Sequence, residues 1–133
     1  MATDETTGLK FARTHEWVRL EGDTATIGIT NYAQFTLGDV TYIDLPWDDV
    51  GQRTYKAGDH FGDIDSVKAT SELFTPVSGT LISVNEALRD VPEIVNTAPV
   101  TDGWMLKIKV SDPSELDKLM DADAYDAYTD TLH

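Results

Sequence analysis

Ile64-Asp65-Ser66-Val67-Lys68-Ala69-Thr70-Ser71-Glu72-Leu73-Phe74, continuing into Thr75-Pro76-Val77-Ser78-Gly79, reads as a hairpin that presents a lysine. Phe61 to Ser66 and Glu72 to Thr75 have the β-branched and aromatic content of short strands. The small residues between them mark a bend with Lys68 near its tip. No acidic side chain is an immediate neighbour of Lys68, so nothing adjacent pins its ammonium. Pro76 to Gly79 turns the chain again, and Leu81 to Val84 runs on as another strand. A lysine held out from a sheet in this way suits recognition and acylation by another enzyme.

Working toward the N-terminus, Glu16 to Leu20, the turn Glu21-Gly22-Asp23 and Thr24 to Thr30 predict a second hairpin. Ala25, Ile27 and Ile29 alternate with Thr24, Thr26 and Gly28, which predicts one buried face. Asn31 to Leu37 has helix-like apolar spacing, with Thr30 as N-cap and Gly38 as its stop. Val40 to Leu45 predicts a strand ended by Pro46, followed by a loop over Trp47 to Gly51.

Toward the C-terminus, Pro92 divides Asn85 to Asn96 into two short turns. Trp104 to Val110 predicts a strand with Trp104, Leu106, Ile108 and Val110 on one face and Met105, Lys107 and Lys109 on the other. Asp112-Pro113-Ser114-Glu115 opens a helix, with Asp112 as N-cap and Glu115 placed to complete a capping box. Leu116, Leu119 and Met120 form its apolar stripe, and Asp121 caps a further turn carrying Ala124, Tyr125 and Tyr128. Many short strands, few helices and a helical tail predict a mainly β sandwich or barrel with helical additions, Trp17 and Trp104 packing in the core.

With 133 residues, 41% of them hydrophobic, the chain is long enough for one core and short for two. It has no cysteine, so disulfides, thiolate metal sites and cysteine nucleophiles are excluded, and any redox-active sulfur must arrive on an attached cofactor. A formal net charge of -14 opposes binding to nucleic acid or an anionic membrane surface and favours steering of cationic partners. The acids are mostly Asp, a composition compatible with a salt-adapted source as well as with an ordinary acidic protein. The polar start Met1 to Gly8 lacks the layout of a secretory signal or an Arg-rich presequence, and no apolar run approaches membrane-spanning length, so a cytoplasmic protein is expected. His15, His60 and His133 are far apart without ligand spacing, and no metal site is expected. No phosphate loop or nucleophile elbow is present, so no catalytic machinery is visible.

Asp65-Ser66-Val67-Lys68-Ala69 and Thr75-Pro76-Val77-Ser78-Gly79 resemble the lysine motif of the glycine cleavage system H-protein family. The resemblance extends in order through His15-Glu16-Trp17-Val18, Gly28 to Gln34, Leu37-Gly38-Asp39-Val40, Pro92 to Asn96 and Gly103 to Ile108, from about Leu9 to Tyr128. It implies the barrel-sandwich hybrid of lipoyl and biotinyl domains, with short helices and a C-terminal helix. It also implies a division into a flexible segment 1–8, a lipoyl carrier domain 9–128 and a frayed tail 129–133. Biotin acceptors flank their lysine with Met, whereas Lys68 lies between Val67 and Ala69, so the implied cofactor is covalently attached lipoate.

The same resemblance makes Lys68 the lipoyl attachment site and Asp65, Ser66, Val67 and Ala69 the turn that a lipoate-attaching enzyme recognises. Asp65 departs from the family's usual Glu, keeping the charge on a shorter stem. The implied role is a non-catalytic carrier of the aminomethyl group of glycine. Its implied partners are a pyridoxal-phosphate glycine decarboxylase, a tetrahydrofolate-dependent aminomethyltransferase and a flavin-containing dihydrolipoamide dehydrogenase. Glu16 and Glu72 are the candidate carboxylates for holding the amine of the loaded arm. Two alternatives compete: a lipoyl relay or another lipoyl carrier, and an unmodified β-sandwich interaction module.

Overall fold

The computed structural model describes Gly8 to Leu132; Met1 to Thr7, most of the segment expected to be flexible, and His133 lie outside the described residues. In chain order the strands are β1 Lys10–Phe11, β2 Glu16–Glu21, β3 Thr24–Ile29, β4 Val40–Asp44, β5 Thr54–Tyr55, β6 His60–Ser66, β7 Thr70–Phe74, β8 Gly79–Val84 and β9 Leu106–Val110. The helices are α1 Asn31–Leu37, α2 Ala87–Asp90, α3 Ile94–Thr97, a 3-10 helix Pro113–Lys118 and α4 Ala122–Asp130. β1-β2-β3-β9-β8-β5 form one antiparallel sheet and β4-β6-β7 a second. This is the mainly β architecture that the alternation predicts, with short helices and a C-terminal helix.

Both sheets contribute to one core: Val18, Ala25, Ile27, Leu81 and Ile108 from the larger, Val40, Ile43, Ile64 and Leu73 from the smaller. Ile64 is fully buried beneath the lysine hairpin and faces Ser71 across the β6–β7 ladder. Truncating it to Ala would remove contacts worth about 2–5 kcal/mol from the platform on which the hairpin stands.

The β2–β3 hairpin is buried on both faces, a correction to the single buried face expected. Val18 joins the main core, while the adjacent Trp17 points the other way into a second cluster with Leu9, Phe11, Val100 and Tyr125. Trp17 pairs with Gly28, where an added Cβ would lie 2.8 Å from the indole. The absence of a side chain at 28 therefore makes room for the ring. The indole N–H donates to the Pro99 carbonyl at 2.9 Å. Phe11 stacks on Tyr125 with ring centroids 4.6 Å apart, so β1 and α4 cover this outer face.

Thr30 caps α1 by accepting from the Ala33 amide, and Gly38 ends the helix, as expected. The apolar spacing of α1 does not translate into burial: only Ala33 and Leu37 touch the core, and Phe35 is 78% exposed. Met105 precedes β9 and is wholly buried, whereas Trp104 is half-buried against the second cluster. The expected alternation therefore begins at Leu106, two residues later than predicted. Asp112 caps the 3-10 helix through the Ser114 amide, but Glu115 does not fold back into a capping box. Its carboxylate instead accepts from the Ser78 amide and hydroxyl, both at 2.7 Å, tying this helix to the turn before β8. α4 runs to Asp130 and buries Thr129, so helix extends into the tail expected to fray.

Candidate functional site

β6 and β7 pair from His60 to Asp65 and from Thr70 to Phe74, leaving Ser66 to Ala69 as the connection. Ser66 organises it: its N–H donates to the Ala69 carbonyl at 2.8 Å, and its hydroxyl accepts from the amides of Lys68 at 3.2 Å and Ala69 at 3.1 Å. Small polar side chains close tight turns this way because the hydroxyl substitutes for a backbone acceptor. Asp65 braces the base of the turn, accepting from the Thr70 hydroxyl at 2.8 Å. Val67 contributes its backbone, donating to the Asp39 carbonyl at 3.0 Å while its side chain stays 68% exposed. Lys68 and Ala69 are exposed, and among the described residues Lys68 makes no salt bridge.

Two residues that sequence reasoning missed hold this turn from behind. Asn96 accepts from the Val40 amide at 2.8 Å and donates to the Gly38 carbonyl at 2.9 Å and the Gln34 side chain at 3.0 Å. It thereby fixes the backbone on both sides of Asp39, the residue to which Val67 is tied. Gly38 adopts φ 81 and ψ -157, open in practice only to glycine, and a Cβ there would lie 3.0 Å from Cε of Lys68. Its missing side chain leaves space for the lysine stem. Pro92 to Asn96 belongs to the resemblance, but nothing in the sequence assigns Asn96 to the lysine turn.

Glu72 lies on the outer face of β7, exposed and directly opposite Asp63. Glu16 is only 1% exposed, so it is no ordinary surface charge. One of its oxygens accepts from the Phe74 amide at 3.2 Å, the other from the Thr14 hydroxyl. Burial nevertheless outweighs these bonds and raises its carboxyl to about 7. The preceding His15 has φ 73, which sets the direction in which the chain enters β2. Its Nδ1 lies 2.7 Å from the Tyr125 hydroxyl, which in turn lies 2.7 Å from the Thr30 hydroxyl. Burial lowers the His15 pKa and pushes the Tyr125 phenol up to about 12. The link from α4 to His15 joins residues 110 positions apart and carries no local sequence signal.

Both candidate carboxylates thus meet β7: Glu72 stands on it and Glu16 binds its last amide. Neither touches Lys68. Thr70 to Phe74 spans four strand steps, roughly 13 Å, so only a long extension of the lysine side chain would bring a group to Glu16.

The glycine cleavage H-protein family model matches residues 9–132. The glycine cleavage system H protein of Phenylobacterium zucineum is 51% identical over 120 residues, covering 90% of this chain and 97% of that protein. A probable glycine cleavage system H protein of Haloarcula marismortui is 49% identical over 125 residues, covering 94% and 96%. Among solved structures, a glycine cleavage system H protein from Mycobacterium marinum superposes with a TM-score of 0.82 at 31% identity, covering 92% of this chain and 96% of that one. On these matches the chain belongs to the glycine cleavage H-protein family and has its barrel-sandwich hybrid fold.

Proposed function

We propose that Lys68 is the lipoyl attachment site and that the chain acts as the mobile carrier of the glycine cleavage system. The observation that carries this reading is the Lys68 amine, exposed on a turn fixed by Ser66 and tied through Val67 to Asp39. An attaching enzyme needs a free amine on a rigid, recognisable backbone, and Ser66 to Ala69 supplies both. The residues fit the group: Gly38 leaves room for the lysine stem, and among the described residues acylation there breaks no salt bridge. When attached, lipoate supplies a dithiolane that takes up the aminomethyl group of glycine.

Tethering keeps that group at high effective concentration for successive partners. The partners are a pyridoxal-phosphate glycine decarboxylase, a tetrahydrofolate-dependent aminomethyltransferase and a flavin-containing dihydrolipoamide dehydrogenase, and the chain itself catalyses none of the steps. Glu72 offers an exposed carboxylate along β7, and Glu16 a desolvated one at its end. A cation brought to Glu16 would favour its ionised form, so capture of an ammonium there releases the proton that burial retains. Ion pairing in this desolvated position is stronger than at the exposed Glu72.

The test is the intact mass of the chain co-expressed with a lipoate-attaching enzyme and lipoate, beside Lys68→Arg. A lipoyl-sized increment on the wild type alone supports the assignment; an unmodified wild type, with a known lipoyl domain modified in the same cells, overturns it in favour of an interaction module. Glycine-dependent carbon dioxide exchange with the decarboxylase then separates this carrier from a lipoyl relay, which would be modified yet support no exchange.

A further inference from the structure

We infer that His60, Asp63 and Glu72 form a binding site for a divalent first-row transition ion, of which zinc is the representative probe. A strand puts residues three apart on opposite faces, so His60 and Asp63 would ordinarily diverge. Here the β6–β7 register shifts: His60 faces Phe74, Gly62 faces Leu73 and Asp63 faces Glu72. Phe61 is the extra residue of this bulge and turns inward, 5% exposed. The bulge brings His60 onto the outer face beside Asp63, and the ladder places Glu72 directly across from it.

The potential ligand atoms of the three side chains all lie within 4.8 Å of one another. His60 Nε2 is already 3.0 Å from Asp63 Oδ1. Ligands bound at about 2.0–2.2 Å in a tetrahedral shell sit roughly 3.3 Å apart, so that pair needs almost no adjustment. Glu72 is exposed and free to swing inward. The Phe74 ring packs edge-on against the imidazole at 6.2 Å, limiting its rotation. One imidazole and two carboxylates make a neutralising set for a dication, leaving the remaining positions to water. The imidazole favours zinc and its first-row neighbours over magnesium and calcium, which take oxygen shells.

The site shares Glu72 with the path proposed above for the loaded arm. Its test uses the full chain, verified by mass to be unmodified so that no lipoyl sulfur can act as a ligand. Zinc chloride is titrated calorimetrically at physiological salt, and amide shifts are mapped by NMR for the wild type, His60→Ala and Glu72→Gln. Both substitutions are at exposed positions, and the NMR spectra report directly that each variant is folded. Expected are one saturable site, shifts confined to β6 and β7, and a dissociation constant raised at least tenfold by His60→Ala, with magnesium producing no comparable localised change. An unchanged zinc affinity in His60→Ala, shifts spread over the acidic surface, an equal response to magnesium, or no saturable binding would each overturn the inference.

Discussion

Replacing Glu16 by Gln changes how stability depends on pH. The wild-type carboxyl rises from an ordinary 4.5 to about 7 because burial disfavours its charge. Below pH 4.5 folded and unfolded chains both hold the proton, so Glu16 contributes no pH dependence. Between 4.5 and about 7 the unfolded chain ionises while the folded one retains its proton, and wild-type stability falls as pH rises. Above about 7 both are ionised and the penalty is constant. At about 1.4 kcal/mol per pH unit the interval corresponds to a ~3 kcal/mol penalty, of which about 2.5 kcal/mol develops between pH 5 and pH 8. Gln keeps one oxygen for the Phe74 amide and turns its NH2 to the Thr14 hydroxyl, which accepts instead of donating; it cannot ionise, so any cost of this exchange is the same at every pH. Urea unfolding of both proteins across that range, at constant salt, should give a stability difference moving by about 2.5 kcal/mol in favour of the variant. Taking the difference removes the slope due to the other carboxylates. A difference flat to within about 0.5 kcal/mol, well below the shift expected, would mean that Glu16 ionises normally in the fold and would refute the desolvation argument.

Asn96→Ala leaves the Val40 amide and the Gly38 carbonyl without their partner, so a loss of about 2–3 kcal/mol in urea unfolding is expected, with slower lipoylation because the Asp39 anchor of the turn loosens. Equal lipoylation rates in folded protein would separate the anchor from the lysine. Gly38→Ala forces a side chain into a backbone conformation that costs about 1–3 kcal/mol outside glycine, and an unchanged thermal midpoint would count against that reading. Gly28→Ala drives a methyl group into the Trp17 ring, with an expected cost of about 1–3 kcal/mol and a change in tryptophan fluorescence; an unaltered spectrum and stability would contradict the contact. Glu115→Gln retains an acceptor for the Ser78 amide but weakens both bonds, so it should cost less than Glu115→Ala, for which about 1–2 kcal/mol is expected by urea unfolding. Equal losses would show that the carboxylate's acceptor geometry is immaterial.

The features legible in the sequence are those set by neighbouring residues. Thr30 and Gly38 bracket α1 because a side-chain acceptor at the start and a positive φ at the end are local requirements. Lys68 is legible because the strands beside it and its small neighbours are contiguous with it. What escapes is set by residues far along the chain. Glu115 has the spacing of a capping box, yet its carboxylate reaches Ser78, 37 residues away, because tertiary packing offers an amide and a hydroxyl together. Glu16 looks like a surface acid until Phe74 supplies a strand-end amide and the second cluster covers the neighbouring Trp17.

His60 is the sharpest case, because there the rule itself misleads. Period-two alternation places His60 and Asp63 on opposite faces, and only the register shift at Phe61 reverses that assignment. One inserted residue exchanges the faces of everything before it while leaving the paired segment beyond it intact. Asp63, Asp65, Thr70 and Glu72 therefore keep their expected positions along the lysine hairpin, while the imidazole is moved onto the same surface. Deleting Phe61 should consequently straighten the strand with His60 now two residues before Asp63, so the imidazole stays on the outer face beside Asp63 while the core loses the Phe61 ring, without moving the Lys68 turn. Chemical-shift changes at the Phe74 end of the hairpin and in the core around position 61, zinc binding that survives the deletion, and an undiminished rate of lipoylation are the expected result; a parallel loss of lipoylation would mean that bulge and lysine turn are coupled, and that the hairpin does not divide into two independent halves.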